Sequence, residues 1–255
     1  MKKVLRDLRV GEVSFPNASH LLLRLVSEEV LPPIVPGQFV EVQCPTSGQT
    51  MLRRPISIHY ADPEGRAIGL LIHCVGEGTR SLASLHVGDT VSCLFPLGNG
   101  FTLPSGRQRC LLVGGGVGSA PLLQLGRELS QMGHSVTFLL GGKTADDLLC
   151  LDAYRPFGRL CLTTEDGSLG TKGFVTQHDV IAEPFDLIQT CGPRPMMQAV
   201  SRLARERGIR CEVSLENLMA CGMGACLCCV ENTSQGHRCV CTDGPVFDSR
   251  DLLWT

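Results

Sequence analysis

Residues 110–121 read CLLVGGGVGSAP and residues 122–133 read LLQLGRELSQMG. The first four residues form an unbroken apolar run, the pattern of a parallel strand buried on both faces. Glycines follow, and then apolar residues at helical spacing. Strand, glycine loop and helix in that order place a pyrophosphate at the helix N-terminus, where backbone N–H groups point outward and Gly116 and Gly118 let it approach closely. Pro121 suits a first helical turn. It also occupies the last position of the loop, so the ordinary G-x-G-x-x-G fingerprint is not present.

Downstream of this unit the pattern repeats. Residues 136–140 (VTFLL), 159–164 (RLCLTT), 185–190 (FDLIQT) and 208–214 (GIRCEVS) read as strands, with the helix MMQAVSRLARERG between the last two. Thr144 and Asp147 have the spacing of a capping box. The strand ends converge on Gly116, Glu165 and Cys191, where open α/β sheets bind ligands. Cys191-Gly192-Pro193 suits packing against a nicotinamide; Cys191 has no evident base to make it a nucleophile. No acidic residue ends the second strand and Lys143 lies there instead, so the residues leave NAD against NADP open.

Upstream the texture differs. HLLLRLVS, GQFVEVQC, RRPISIHY, IGLLIHCVG and DTVSCLF are short apolar segments separated by Pro, Gly and polar turns, as in a small antiparallel barrel. Arg54 and Ser57 stand three apart on one extended segment and are fit to bind a flavin phosphate and ring edge. Val75-Gly76-Glu77-Gly78-Thr79 is a glycine-rich turn entering a helix, a second candidate pyrophosphate cradle. Either alone reads equally well as a hairpin turn with a surface arginine; together they suggest a dinucleotide site.

Beyond residue 215 the cysteines crowd. Met219–Cys241 reads MACGMGACLCCVENTSQGHRCVC. Cys221, Cys226, Cys229 and Cys241 form C-x4-C-x2-C plus a distant fourth, the plant-type spacing of 2Fe-2S ligands. Gly222 and Gly224 suit a loop that must turn its amides toward sulfur. A structural zinc on Cys226, Cys229, His237 and Cys239 or Cys241 is the plainer alternative. Cys228 and Cys239 are spare, and a ligand frame shifted onto one of them stays open.

Composition bounds the rest. With 43% hydrophobic and 19% charged residues, the chain's 255 residues can bury a sizeable core. A formal charge of −2 and 5% aromatic residues argue against nucleic acid as a partner. MKKVLRDLRVGEV carries charges where a signal peptide needs an apolar run, and no later run reaches membrane-spanning length. A cytoplasmic protein is expected, in which fourteen cysteines are thiols or metal ligands rather than disulfides. The expected fold is β plus α/β: a barrel over 1–103, a parallel-sheet nucleotide domain over 104–215 and a small cysteine-rich segment over 216–255.

RRPISI, VGEGT, PLGNGF, GGGVGSAPL, TEDGSLGTKG, CGPRPMM, MACGMGAC and CTDGPVF occur in that order along nearly the whole chain. In this it resembles the electron-transfer subunits of class 1B dihydroorotate dehydrogenases, of the ferredoxin-reductase-like superfamily. The resemblance implies that Arg54-Pro55-Ile56-Ser57, Leu71-Ile72-His73 and Gly78-Thr79 hold FAD and that Cys221, Cys226, Cys229 and Cys241 bind the 2Fe-2S cluster. It further implies NAD at the α/β domain, an FMN-containing catalytic subunit as partner in a heterotetramer of two plus two, and a role in pyrimidine biosynthesis. The gap before Cys241 departs from the family by being short. A related reductase subunit serving sulfide, sulfite or ferredoxin chemistry and a zinc-stapled binding protein are the alternatives.

Overall fold

The computed structural model describes residues 3–45 and 50–254. Strands β1 (Val4–Asn17), β2 (His20–Val26), β3 (Phe39–Val42), β4 (Arg54–Ala61) and β5 (Ala67–His73) are followed by the short helix α1 (Glu77–Leu82) and strand β6 (Thr90–Leu97). These strands close into an antiparallel barrel in the order β1-β2-β5-β4-β3-β6. Strand β1 is the one the sequence reading passes over. Arg6, Asp7 and Arg9 mask an alternation that turns Leu8 and Val10 into the core. Leu8, Val10, Leu23, Val40, Ile58, Leu70, Ile72 and Phe95 fill the interior, and Leu82 of α1 packs with them.

Strand β7 (Arg109–Gly115) opens the second sheet, followed by α2 (Leu122–Gln131), β8 (Ser135–Gly142), α3 (Leu151–Tyr154), β9 (Arg159–Thr164), β10 (Thr171–Lys172), β11 (Leu187–Cys191), α4 (Arg194–Glu206) and β12 (Arg210–Ser214). Beyond these lie the hairpin β13 (Val230–Thr233) and β14 (Gly236–Cys239), then β15 (Val246–Asp248). The sheet order is β10-β9-β8-β7-β11-β12-β15. All neighbours are parallel except β15, which runs antiparallel to β12.

Side chains of β7 alternate between two cores, as period-two geometry requires. Cys110 and Leu112 meet α2 through Leu122, Leu125 and Leu129. Leu111 and Val113 meet α4 through Met197, Val200 and Ala204. Helices thus cover both faces, and strand order reverses at β7–β11, the crevice where such sheets bind ligands. The expected box at Thr144 and Asp147 caps one 3-10 turn, Ala145–Asp147, with the Asp147 carboxylate accepting the Thr144 N–H at 3.0 Å.

The cysteine-rich segment is woven into this frame. Cys229, Val240, Cys241 and Phe247 belong to the α4-side core, together with Phe39 and Leu97 of the barrel. Through β15 the segment supplies the antiparallel edge of the second sheet, which a periodicity reading of three residues could not reveal. Among the described residues no helix is long and apolar enough to cross a membrane.

Candidate functional site

Arg54 stands at the first position of β4 and its guanidinium lies over Gly78 in α1. A Cβ on Gly78 would come within 2.7 Å of Arg54 Nε, so the glycine is what lets the two meet. Arg54 also donates to the Leu52 carbonyl at 2.8 Å, which fixes its first bend. In α1 the Gly76 N–H donates to Thr79 Oγ1 at 3.1 Å, and that hydroxyl donates to the Gly76 carbonyl at 3.2 Å. The turn carrying Gly78 and Thr79 is therefore held by its own side chain. Pro55, Ile56 and Ser57 are half-buried on the same strand, registered against Glu41, Val40 and Phe39.

On β5 the three residues of interest divide. Leu71 packs against Ala120 and Leu149 between barrel and α/β domain, whereas Ile72 faces the barrel core. Their side chains are spent on packing, leaving the backbone for any cofactor contact. His73 is exposed and stacks on His20, ring centroids 4.4 Å apart at 11°.

At the crevice the two glycine loops touch. A Cβ on Gly118 would fall 2.4 Å from Gly192 Cα and 2.8 Å from the Cys191 carbonyl oxygen; one on Gly115 would meet Pro193 Cδ and Met196 Sδ, each at 2.7 Å. Register pairs Cys191 with Gly114. Gly116 has φ +53°, a conformation glycine takes without strain. The loop is a 3-10 turn, Gly116–Ser119, ahead of α2 rather than the direct start of the helix. Cys191 is fully buried with Sγ 3.8 Å from Glu216 Oε1, and burial pushes its thiol well above the ordinary range. It is a neutral thiol, as a packing role requires and a nucleophile does not.

Two residues the sequence reading missed tie these parts together. His59 of β4 is buried, and its Nδ1–H donates to the Ala120 carbonyl at 2.7 Å. Burial lowers its pKa to about 4, against the opposing effect of that bond, so a neutral ring joins barrel to glycine loop. Tyr154 donates to the neighbouring Ser119 carbonyl at 3.0 Å. The other residue is Glu41, 1% exposed, whose two carboxyl oxygens have no hydrogen-bond partner among the described residues. Its Cγ would lie 2.8 Å from a Cβ on Gly222, so its side chain abuts the cysteine loop. Burial, partly offset by Arg53, raises its pKa to about 7. A buried carboxylate is rare enough to matter, yet Glu41 reads in sequence as one residue of an apolar strand.

The cysteine loop turns amides toward sulfur. The Met223 N–H donates to Cys221 Sγ at 3.4 Å, the Gly224 N–H to Cys241 Sγ at 3.2 Å and the Cys241 N–H to Cys229 Sγ at 3.4 Å. Backbone donation from Met223, then from Cys226, lowers the Cys221 pKa to about 6; burial raises that of Cys241 to about 12. Gly222 at φ +64° and Gly224 at φ +83° supply the turns. Cys229 and Cys241 are buried, Cys221 is half-buried and Cys226 exposed. Among the described residues no three Cys, His, Asp or Glu side chains close on one ion. Soft thiolates backed by backbone N–H donors are the donor set a 2Fe-2S cluster would take, and the amide-lined loop fits it.

A sequence model of the iron-sulfur cluster binding domain of dihydroorotate dehydrogenase B matches residues 216–253. The dihydroorotate dehydrogenase B (NAD(+)) electron transfer subunit of Shouchella clausii is 43% identical over 227 residues, covering 86% of each chain. This chain belongs to the family of dihydroorotate dehydrogenase B electron transfer subunits. Its counterpart in Listeria monocytogenes is 39% identical, with 89% of this chain and 91% of the relative covered. Among solved structures, a chain of an NADH-dependent reduced ferredoxin-NADP oxidoreductase superposes with a TM-score of 0.87 at 30% identity, covering 97% of this chain and 90% of that one. The cytochrome b5 reductase domain of Ulva prolifera nitrate reductase, at TM-score 0.67, 19% identity and coverage of 81% and 94%, shares the fold.

Proposed function

We propose that this chain passes electrons from the FMN-containing catalytic subunit of dihydroorotate dehydrogenase to NAD+, through a 2Fe-2S cluster and FAD, in the synthesis of pyrimidines. The observation that carries it is a single side chain. Glu41 is registered against Pro55 on the flavin-facing pair of strands and abuts Gly222 in the cysteine loop. The two redox segments are therefore neighbours, as electron transfer between them demands.

The residues divide the work. Arg54 offers a fixed guanidinium to a phosphate, which Gly78 and Thr79 cradle beside it. Ser57, Pro55 and Ile56 line the strand along the ring, and Leu71, Ile72 and His73 supply backbone and an exposed imidazole at the rim. Gly116, Gly118, Gly192 and Pro193 admit NAD to the crevice, with the neutral Cys191 packed beneath. Cys221, Cys226, Cys229 and Cys241 hold the irons. Flavin, once bound, converts between the hydride of a nicotinamide and the single electrons of a 2Fe-2S centre. No acid–base residue is asked of the protein.

We read residues 1–103 as the FAD domain, 104–215 as the NAD domain and 216–255 as the cluster segment, the last docked through β15. A cytoplasmic heterotetramer of two catalytic and two electron-transfer subunits is the assembly this reading implies. The 30% identity to the NADH-dependent reduced ferredoxin-NADP oxidoreductase chain supports a second reading, a reductase subunit in ferredoxin chemistry. Anaerobic reconstitution with the FMN subunit separates them: dihydroorotate-dependent NAD+ reduction should appear only when both subunits are present. No such activity at full flavin, iron and sulfide loading would reject the first reading in favour of the second.

A further inference from the structure

Two thiols, rather than one, stand ready at the far side of the cysteine loop. The β13–β14 hairpin registers Cys239 against Val230, directly beside Cys229. The Val240 N–H donates to the Cys229 carbonyl at 3.1 Å and the Cys241 N–H to Cys229 Sγ at 3.4 Å, so the backbone from Cys239 to Cys241 runs alongside Cys229. Cys239 packs against the core that contains Cys229, Val240 and Cys241. The intervening turn is fixed. The Cys239 N–H donates to Asp243 Oδ2 at 2.8 Å, and the Thr242 and Asp243 N–H groups donate to the Cys239 carbonyl at 3.1 and 2.8 Å. One hydrogen-bonded turn thus carries two cysteines, two residues apart, alongside Cys229.

We infer that Cys239 is a reserve iron ligand, able to take the place of Cys241 in the four-thiolate set of the 2Fe-2S cluster. The inference rests on the proposed reading that this segment binds such a cluster. Exchange of one cysteine sulfur for another preserves donor softness and charge: the Cys239 thiol loses its proton to solvent and forms one Fe–S bond at the position Cys241 would have filled, with no change in electron count. Cys241 holds the place in the native chain because its sulfur accepts the Gly224 N–H at 3.2 Å, and a hydrogen bond to a thiolate favours the ligand form.

The test compares full-length Cys241→Ala with Cys239→Ala/Cys241→Ala, purified anaerobically and assayed for iron, acid-labile sulfide and the EPR spectrum after dithionite reduction. Cys228→Ala, a change at an exposed thiol, is the control. The single variant should keep at least half the native sulfide with displaced EPR g-values, and the double variant should fall at least fivefold below it. Equal loss in both would overturn the inference. Flavin content and far-UV circular dichroism report folding separately; should Cys241→Ala fail there, Cys241→Ser with and without Cys239→Ala decides by the same ratio. Native protein free of labile sulfide would instead sink the iron-sulfur reading itself.

Discussion

Glu41 shows what a single residue can hide. Its side chain is 1% exposed and its oxygens lack partners among the described residues, so the folded chain prefers the protonated form and the pKa is raised from 4.5 to about 7, chiefly by burial. The sign follows from linkage. Between those two values the folded state binds more protons than the unfolded one, so this group's contribution to stability is complete below about pH 4.5 and is lost as pH rises through 7. At 1.36 kcal/mol per pH unit the loss is at most about 3 kcal/mol. Glu41→Gln should therefore flatten the fall in urea stability between pH 5 and pH 8 relative to the native chain. Parallel curves for the two proteins would show that the carboxyl is not buried as described. Nothing in QFVEV signals this, because alternation assigns Glu41 to one face of a strand and is silent on whether a barrel closes over it. The four cysteines stood out in sequence for the opposite reason: their spacing is a local pattern that needs no knowledge of the fold.

At the scale of elements, the glycines of each loop at the crevice stood out in the sequence, while the contact between the loops was not readable at all. The strands β7 and β11 are adjacent only because the order reverses between them, and sequence neighbours carry no such information. Once adjacent, their glycines become a steric necessity. A Cβ at Gly118 would meet three backbone atoms of Cys191 and Gly192 at 2.4 to 2.8 Å, none of which can swing aside. Gly118→Ala should push the loops apart at a cost of about 1–3 kcal/mol. NADH affinity should fall at least tenfold, by titration calorimetry or KM, while FAD content stays near native. Native affinity in the variant would mean that the nucleotide lies elsewhere. Strand β1 was lost to the opposite error, since its charged residues face solvent and its inward pair, Leu8 and Val10, is short.

In the molecule as a whole, the parts are pinned by the linker that the sequence reading treated as a boundary. Asn99, in PLGNGF, donates its N–H to the Gly244 carbonyl at 2.6 Å and its side-chain amide to the Thr242 and Asp243 carbonyls, each at 3.0 Å. It also bridges to Pro245, and Gly98 beside it leaves only 2.4 Å between a notional Cβ and Pro245 Cδ. The crossing from barrel to α/β domain thereby clamps the stretch that carries Cys241. Both motifs were visible in sequence; their union was not, being 143 residues apart in the chain. Asn99→Ala removes two exposed hydrogen bonds, worth about 1 kcal/mol each at most, so global stability should drop little. The clamp's other consequence should be larger. With Thr242 and Asp243 released, the turn that positions Cys241 opens more often, and local opening is what exposes that buried thiol to solvent and oxygen. The half-life of the visible iron-sulfur absorbance in air should shorten severalfold in Asn99→Ala while the unfolding midpoint moves by only a few degrees. If bleaching keeps its native rate, the linker merely connects the domains and the cysteine segment is held by β15 and its core contacts alone.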